Sequence, residues 1–260
     1  MIQITYHKKG IRITQIWFSE NIFKSENLKT DILFYHGVSQ AQADNKCLFT
    51  EFHTLISNLD LPEEELLSRI NKNVRYEIRR NCKEEAEYRV FPSAELQQKP
   101  EIITQFADMY EAMYRQKGQK AVFNRIQFLE YLKQNAILLT AIYQEELPLV
   151  FHSYIVGEKQ VRLLHSVSDF RSGETDANLV ARANKRLHWE DMLLFKKQGK
   201  KIYDWGGVSS LEEPNGIDAF KFKFGGEPLT YYNAYRGSSF LGKAAVAMMK
   251  RRNGKSNHAG

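Results

Sequence analysis

The chain has 260 residues, of which 43% are hydrophobic and 26% are charged. This balance is typical of a globular protein and excludes an intrinsically disordered chain, in which hydrophobic residues are scarcer and charge is higher. The formal net charge of +6 favours anionic partners such as nucleotides, phosphates, RNA or an acidic membrane surface, although an ordinary basic protein has the same charge. Part of the excess lies near the end of the chain, at Lys243, Lys250, Arg251, Arg252 and Lys255.

Cysteine use and hydropathy exclude further classes of protein. Cys47 and Cys82 are the only cysteines, and neither occurs with the Cys and His spacing of a metal site. The first residues lack the layout of a secretory signal peptide, a charged stretch followed by an apolar one. No stretch approaches the roughly 20 apolar residues that a membrane-spanning helix needs. We therefore expect a cytoplasmic, reduced protein without a metal, which would meet a membrane only at its inner surface.

The amino-terminal part is predicted to be rich in strands. Residues 11–18, 31–35 and 46–52 are short runs of β-branched and aromatic residues, which favour strands. Another strand is predicted at 86–91. A polar connection follows it, so a domain boundary is predicted near 93–98.

One amphipathic helix is predicted after Pro62, within this amino-terminal part. Apolar residues recur there every three or four positions, at Leu67, Ile70, Val74, Ile78 and Cys82. The opposite face carries the cations Arg69, Lys72, Arg75, Arg79, Arg80 and Lys83. This basic face could bind phosphate or could be a solvated surface.

From residue 100 onward the pattern changes to two helices, then strands, then a long helix. Three strands at 136–144, 147–157 and 160–169 are joined by short turns, which predicts an antiparallel meander. The remaining predicted elements are a helix at about 175–199, a strand at 201–207, a helix near 214–223, a strand at 228–235 and a basic amphipathic helix at about 238–252. This order is typical of an α+β or mixed α/β fold. It divides the chain into a strand-rich part at 1–95, a main domain at 96–237, and a carboxy-terminal helix and tail at 238–260.

Two motifs after the long helix carry the most distinctive chemistry. The first runs from Tyr203 to Gly207 (YDWGG) and the second from Gly216 to Gly226 (GIDAFKFKFGG). Consecutive glycines after a strand let the backbone approach a ligand and leave N–H groups for an oxyanion or a phosphate, though a simple turn uses the same pair. In the second motif lysine and phenylalanine alternate, so a partly shielded ammonium could stabilise the oxyanion of acyl transfer, while a surface lysine is the alternative.

These motifs resemble those of the Fem-type acyltransferases of the GNAT superfamily. That family shows an aromatic-rich helix ending at a glycine, as at Leu187-His188-Trp189 and Gly199, followed by two motifs of this kind. The helix from Asn73 to Arg80 is similar to the basic helix that precedes the family's transferase domain. The resemblance covers about 65–236. It implies a mixed, mostly antiparallel sheet flanked by helices and opened between its fourth and fifth strands, where the acyl donor enters, with 1–95 as a smaller, degenerate copy.

The resemblance implies an N-acyltransferase that moves an acyl group from an activated donor, acyl-CoA, to an amine. No tightly bound cofactor is implied, because acyl-CoA or aminoacyl-tRNA would serve as a co-substrate. The acceptor would be an amino sugar, linked to a nucleotide or a lipid, that is a precursor of a bacterial cell-surface glycan. One alternative is aminoacyl-tRNA-dependent transfer to a peptidoglycan precursor, with tRNA on the basic helix. Another is a non-catalytic module that binds nucleic acid or, through the carboxy-terminal basic helix, a membrane surface.

The resemblance and the chemistry of acyl transfer together give candidate site residues. Lys221 matches the family's Phe-Lys position and is implied to stabilise the oxyanion. Acyl transfer also needs a proton acceptor, for which the candidates are His152, His165, Asp204 and Tyr203. Expected to bind substrate or donor are Tyr203, Trp205, Gly206, Gly207, Phe220, Lys223, Arg171, Arg75 and Arg79.

The segment before the long helix leaves the donor open. GNAT enzymes have glycines there whose amides bind a pyrophosphate, whereas this chain has Glu174 and Asp176. Two carboxylates beside a pyrophosphate are unfavourable. No Ser or Cys accompanies a His in a triad pattern, so we expect direct attack by the acceptor rather than a covalent enzyme intermediate.

Overall fold

The structure, a computed structural model, describes residues 1–19, 28–41, 46–169 and 175–256. The described strands are β1 (Ile2–Lys8), β2 (Ile11–Trp17), β3 (Ile32–Val38), β4 (Cys47–Asn58), β5 (Glu87–Pro92), β6 (Ile137–Gln144), β7 (Leu147–Val156), β8 (Gln160–Ser168), β9 (Ile202–Val208) and β10 (Glu227–Gly237). The described helices are α1 (Glu63–Arg69), α2 (Lys72–Asn81), α3 (Ser93–Gln98), α4 (Pro100–Gln116), α5 (Arg125–Lys133), α6 (Ala177–Lys197), α7 (Gly216–Phe222) and α8 (Phe240–Ser256). None of these helices has both the length and the apolar character that a bilayer span requires.

The chain forms two compact units. One consists of Met1–Thr54 together with Leu229–Gly260, and the other of Leu55–Pro228. The domain boundary predicted near 93–98 falls inside the second unit. The helix α2, which precedes that predicted boundary, packs on α6 and therefore belongs to the same unit. The carboxy-terminal helix, predicted as a separate segment, groups with the amino-terminal strands.

The first unit is a strand layer with α8 against it. Its strands lie in the order β1-β2-β3-β10-β4, with β2 and β3 parallel and β3 and β10 antiparallel. The strand β1 was not predicted. It pairs with β2 over seven residues. Val246 of α8 is buried against Ile32 and Leu48, so the apolar side of the helix covers one end of the layer.

The second unit contains the predicted meander. Its strands lie in the order β9-β8-β7-β6-β5, and β5 to β8 are successively antiparallel, which confirms the meander. Between β8 and β9 the pairing is parallel. The long helix α6 packs against β6, β7 and β8 on one side and α2 on the other. Its buried residues include Trp189, Met192 and Phe195, which join a hydrophobic core cluster of this unit.

The helix predicted after Pro62 is two helices. Ile70 adopts an extended conformation that ends α1, and the side chain of Asn71 accepts a hydrogen bond from the Asn73 amide to begin α2. Leu66, Ile70 and Val74 are all buried, so the apolar spacing continues across the break. The prediction of a single helix was therefore wrong, because the spacing of apolar residues does not reveal a helix cap in the middle of the segment.

Candidate active site

In the sheet of the second unit, the strand pairing changes from antiparallel to parallel between β8 and β9. The two strands pair only over Gln160–Arg162 and Ile202–Asp204. Just beyond this ladder, Gly206 has a φ of +71°, and a Cβ at this position would lie 2.5 Å from the carbonyl oxygen of Leu163. Only glycine permits such an approach without displacement. The first glycine of the YDWGG motif is thus required by the close passage of two strands.

A cavity of about 380 Å³ lies beside the end of this ladder. Strand β8 contributes Leu163, Ser166 and Ser168 to its wall, and the remaining lining comes from α4, α6 and α7: Met113, Gln116, Lys117, Val180, Ala181, Asn184, Lys185, His188, Gly216, Ile217, Phe220 and Lys221. The wall is mostly apolar with a few polar groups, which is the usual character of a small-molecule site.

Lys221 projects from α7 into this wall and is only 9% exposed. Its ammonium donates a hydrogen bond to the carbonyl oxygen of Gly207 at 2.6 Å. Burial lowers the pKa of Lys221, and the nearby carboxylates of Asp218 and Asp204 oppose this shift by favouring the charged form. A shielded cation therefore lies where an acyl group in the cavity can meet it.

The helix that carries Lys221 is fixed by a capping box. The side chain of Asn215 accepts from the amides of Ile217 and Asp218, and the Asp218 carboxylate accepts from the Asn215 amide at 3.3 Å. The same carboxylate accepts from the amide and hydroxyl of Ser209. Burial raises the pKa of Asp218, but these hydrogen bonds outweigh it and hold the pKa below its ordinary value. The cap thus ties α7 to the end of β9.

The other polar groups of the YDWGG motif have protein partners. The Asp204 carboxylate accepts from Arg162 Nε at 2.7 Å, and both side chains are buried. It also accepts from the Gly206 amide at 2.9 Å. The Trp205 ring donates to the hydroxyl of Ser57 at 3.0 Å. These contacts hold the strand in place, and the expected catalytic role of Asp204 stays a prediction.

A chain of buried hydrogen bonds runs from the core to the cavity. The hydroxyl of Tyr154 donates to Asp191 Oδ2 at 2.6 Å and lies 2.7 Å from the hydroxyl of Tyr203. The Tyr203 hydroxyl lies 3.0 Å from Nδ1 of His188, which lines the cavity. Burial, with a contribution from Asp191, raises the pKa of Tyr154 well above 10, so this phenol keeps its proton. The chain joins a buried carboxylate to an imidazole at the cavity wall.

Solved structures that are similar to this chain include the following three. The C-terminal domain of a putative lysylphosphatidylglycerol synthetase from Agrobacterium fabrum has a TM-score of 0.56 and 12% identity, and the match covers 84% of this chain and 71% of that one. FemX has a TM-score of 0.55 and 14% identity over 82% and 68% of the two chains, and L-PGS from Bacillus licheniformis has 0.52 and 13% over 86% and 73%. The chain has a Fem/GNAT-like fold. No protein-family model and no curated protein sequence matches it.

The two histidines that were predicted as proton acceptors, His152 and His165, do not line the cavity. His152 is fully buried, and its ring nitrogens lie 2.8 Å from Asp191 Oδ2 and 2.9 Å from Asn184 Oδ1. His165 is bonded to the hydroxyl of Ser153 at 2.8 Å, and burial lowers its pKa to about 4. Its ring contacts three aromatic side chains, Phe106, Tyr110 and Phe123. Neither histidine lines the cavity, so the choice of these two as proton acceptors has no support from the geometry.

His188 borders the cavity, and the sequence predicted no role for it beyond its place in the aromatic-rich helix. Ala181, Asn184, Lys185 and His188 all line the cavity from α6. Their spacing of three, four and seven residues places them on one face of the helix. A polar stripe on an otherwise buried helix was the signal that could have identified this face.

The residues expected to bind substrate are divided between the cavity and its surroundings. Phe220 lines the cavity. Lys223 is exposed and borders a second hollow of about 810 Å³ between α2, α6 and the end of α7. The guanidinium of Arg75 reaches the carbonyl oxygen of Leu67 at 3.4 Å, and Arg79 is exposed on α2. Arg171 lies outside the described residues, as does Glu174.

Proposed function

We propose that this protein is an acyltransferase in which an acceptor amine attacks the carbonyl carbon of an activated acyl donor held in the cavity beside β8. The observation that carries the proposal is the position of Lys221. Its buried ammonium is fixed at Gly207, on the cavity wall, inside a Fem/GNAT-like fold. A fixed cation in a partly shielded site stabilises an oxyanion more effectively than a mobile surface lysine, because it needs no reorganisation during the reaction.

The proposed reaction is a direct displacement. The amine nitrogen forms a bond to the carbonyl carbon, and negative charge develops on the carbonyl oxygen near Lys221. Collapse of this tetrahedral intermediate breaks the bond to the donor's ester oxygen or thioester sulfur. The proton lost by the amine neutralises the leaving group. The cavity supplies apolar surface for the acyl chain, chiefly from Val180, Ile217 and Phe220.

Two observations favour an aminoacyl ester, such as aminoacyl-tRNA, as the donor. Asp176 is the N-cap of α6, and its carboxylate accepts from the Asn178 amide, so a negative charge lies where a CoA pyrophosphate would need the helix terminus. One similar structure carries the name of a lysylphosphatidylglycerol synthetase, and a lysyl group is an aminoacyl group. Acyl-CoA, the donor expected first from the sequence, is the alternative.

The second hollow offers a place for a polyanionic donor next to the cavity. Its lining includes four cationic side chains, Arg80, Arg182, Lys185 and Lys223, and Lys185 lines the cavity as well. Glu77 and Asp176 lie among them, and Glu77 pairs with Lys185 at 3.0 Å. Phosphates of a tRNA end could therefore reach the cavity by way of Lys185. An amino sugar linked to a nucleotide or a lipid is the acceptor that we propose, and a peptidoglycan precursor is the alternative.

The test compares donors directly. The purified chain is incubated with amino-sugar acceptors and either acyl-CoA or charged tRNA, and acylated product is detected by mass spectrometry. Transfer from charged tRNA that weakens steeply between 50 and about 200 mM salt supports the aminoacyl donor. Transfer from acyl-CoA that is insensitive to salt supports the alternative. Absence of transfer with either donor, across the acceptor panel, contradicts the proposed activity.

A further inference from the structure

We propose that His188 is the proton acceptor of the transfer reaction, and that Asp191 selects its reactive tautomer through Tyr154 and Tyr203. The inference rests on the proposed function for its chemistry, but the hydrogen-bond order that it requires is a property of the folded protein alone. His188 would be a catalytic residue, and the other three would be positioning residues that act through it.

The direction of the hydrogen bonds follows from counting protons. A tyrosine hydroxyl has one proton to donate. Tyr154 donates its proton to Asp191 Oδ2 at 2.6 Å, so the bond of 2.7 Å to Tyr203 must use the Tyr203 proton. The oxygen of Tyr203 can then only accept from Nδ1 of His188, which lies 3.0 Å away. Nδ1 therefore carries the proton of the neutral imidazole, and Nε2 carries the lone pair.

The carboxylate at the start of this chain is firmly defined as an acceptor. Tyr88 donates to Asp191 Oδ1 at 3.0 Å, and His152 Nδ1 lies 2.8 Å from Oδ2. Together with Tyr154, three groups point at Asp191, which is fully buried. Because a carboxylate accepts hydrogen bonds and does not donate them, Asp191 determines the direction of each hydrogen bond from Tyr154 to Tyr203 and His188. The same logic lets the buried aspartate of a serine protease triad select a histidine tautomer.

The surroundings of His188 keep the ring neutral and its lone pair available. Burial lowers its pKa well below 6.5, with further contributions from the neighbouring His152 and Lys221. Nε2 has no hydrogen-bond partner among the residues that the structure describes, whereas Nδ1 is engaged by Tyr203. The ring lines the cavity with Lys221 and Phe220. A base and an oxyanion-stabilising cation thus border the same cavity.

The proton balance of the transfer is then complete. As the amine nitrogen bonds to the carbonyl carbon, Nε2 of His188 takes the amine's proton and becomes an imidazolium. That cation is stabilised through Tyr203 and Tyr154 by the charge on Asp191. When the bond to the leaving oxygen or sulfur breaks, Nε2 returns the proton to that atom. The imidazole ends in its starting state, and no oxidant, reductant or covalent enzyme intermediate is needed.

The first experiment determines the tautomer of His188 in the folded protein and does not require the transfer reaction. Long-range ¹H–¹⁵N NMR on ¹⁵N-histidine-labelled protein at pH 7, with His188→Gln to assign the signal, should show Nδ1 protonated and Nε2 unprotonated in the wild type. In Asp191→Asn the amide can donate to Tyr154 and reverse the chain, so the proton should move to Nε2. A wild-type His188 protonated at Nε2, or an unchanged tautomer in a folded Asp191→Asn protein, would overturn the proposal.

The second experiment measures transfer in variants that differ in one hydroxyl. Tyr203→Phe removes the partner of His188 and should lower kcat by about 100-fold, within the range for general base catalysis, with little change in KM. Tyr143→Phe is the matched control, because it also removes the hydroxyl of a buried tyrosine, bonded to Gln105 Oε1 at 3.0 Å, but leaves Asp191 and the chain to His188 intact. It should keep kcat within about threefold of wild type. Equal losses in the two variants would overturn the role of the chain, whereas absence of transfer in the wild type would reject only the proposed function.

Discussion

Lys221 and Gly207, fourteen positions apart in the sequence, are joined by a hydrogen bond of 2.6 Å between the ammonium and the carbonyl oxygen. The bond connects α7 to β9 and makes the YDWGG and GIDAFKFKFGG motifs one structural unit at the cavity. Neither motif forms this arrangement alone. The value of the pair as a signature therefore has a physical basis in this contact and in the packing of Trp205 on Phe224.

Replacing Lys221 by Met should abolish most of the transfer activity while preserving the fold. The loss of one oxyanion-stabilising donor lowers kcat by about 100-fold or more. Methionine fills the space of the buried stem without burying a charge, so the midpoint of urea unfolding should not fall. Lys197→Met is the matched control, since Lys197 is exposed at the end of α6 and lines neither the cavity nor the second hollow. Full activity in Lys221→Met would refute the assigned role.

Replacing Asp204 by Asn should destabilise the protein by about 3 kcal/mol or more, because it removes the carboxylate that pairs with the buried guanidinium of Arg162. Asp60→Asn provides the control, as Asp60 pairs with Lys201 in an exposed ion pair. Urea unfolding of the control should differ from wild type by at most about 1 kcal/mol. The double variant Arg162→Met with Asp204→Leu should recover most of the lost stability. If that double variant is stable but inactive in transfer, Asp204 has the catalytic role expected from the sequence.

The sequence predicted some parts of this structure well for reasons that particular residues make clear. The meander was predictable since Ile137–Gln144 and its neighbours are continuous β-branched and aromatic runs with short turns between them. The break at Asn71 was not, because Ile70 stays buried and keeps the helical spacing. The motif directed attention to Lys221, which the structure places at the cavity wall. It did not do so for His188, since the role proposed for His188 depends on Tyr154 and Tyr203, which only the folded chain connects to it.

Glycine at 206 should be indispensable because of space as well as conformation. Alanine there would carry an unfavourable positive φ and a Cβ 2.5 Å from the Leu163 carbonyl oxygen. The strain of a positive φ alone costs about 1–2 kcal/mol, and the overlap adds to it. Gly199→Ala isolates the strain, since Gly199 has a φ of +75° with nothing within 4 Å of the added Cβ. Thermal unfolding should show a clearly larger loss for Gly206→Ala, and equal losses would mean that β8 moves aside without cost.

The carboxy-terminal helix α8 should bind anionic membranes weakly. Phe240, Leu241 and Met248 are 90%, 51% and 57% exposed on this helix, and Lys250, Arg251 and Arg252 lie at its far end. Apolar side chains beside cations favour the interface of an anionic bilayer.

Sedimentation with vesicles containing phosphatidylglycerol tests this expectation. The triple variant Phe240→Ser, Leu241→Ser, Met248→Ser should pellet less than wild type. Val122→Ser with Ile126→Ser, which removes exposed apolar residues elsewhere in the chain, should pellet as wild type does. Equal pelleting of all three proteins would exclude a role for α8.

Stability should fall as the pH drops from about 6.5, and His165 should account for part of the loss. Its pKa is about 4 in the folded protein because burial disfavours the imidazolium, whereas the unfolded chain has the ordinary value of 6.5. Between these values the unfolded state binds a proton that the folded state does not, so the free energy of unfolding decreases as the pH falls. From pH 6.5 to 5 this single group contributes roughly 2 kcal/mol, since one pKa unit corresponds to about 1.4 kcal/mol. His188, whose pKa is also lowered by burial, acts in the same direction.

Urea unfolding at pH 7, 6 and 5 separates the contribution of His165 from that of His188. His165→Gln should show a shallower decline than wild type, because glutamine does not titrate. Ser153→Ala removes the hydroxyl bonded to His165 but keeps the imidazole, so its decline should match that of wild type even if its stability is lower throughout. If His165→Gln and wild type lose stability in parallel, the imidazole of His165 becomes protonated in the folded state as readily as in water. Its aromatic surroundings would then be open to solvent.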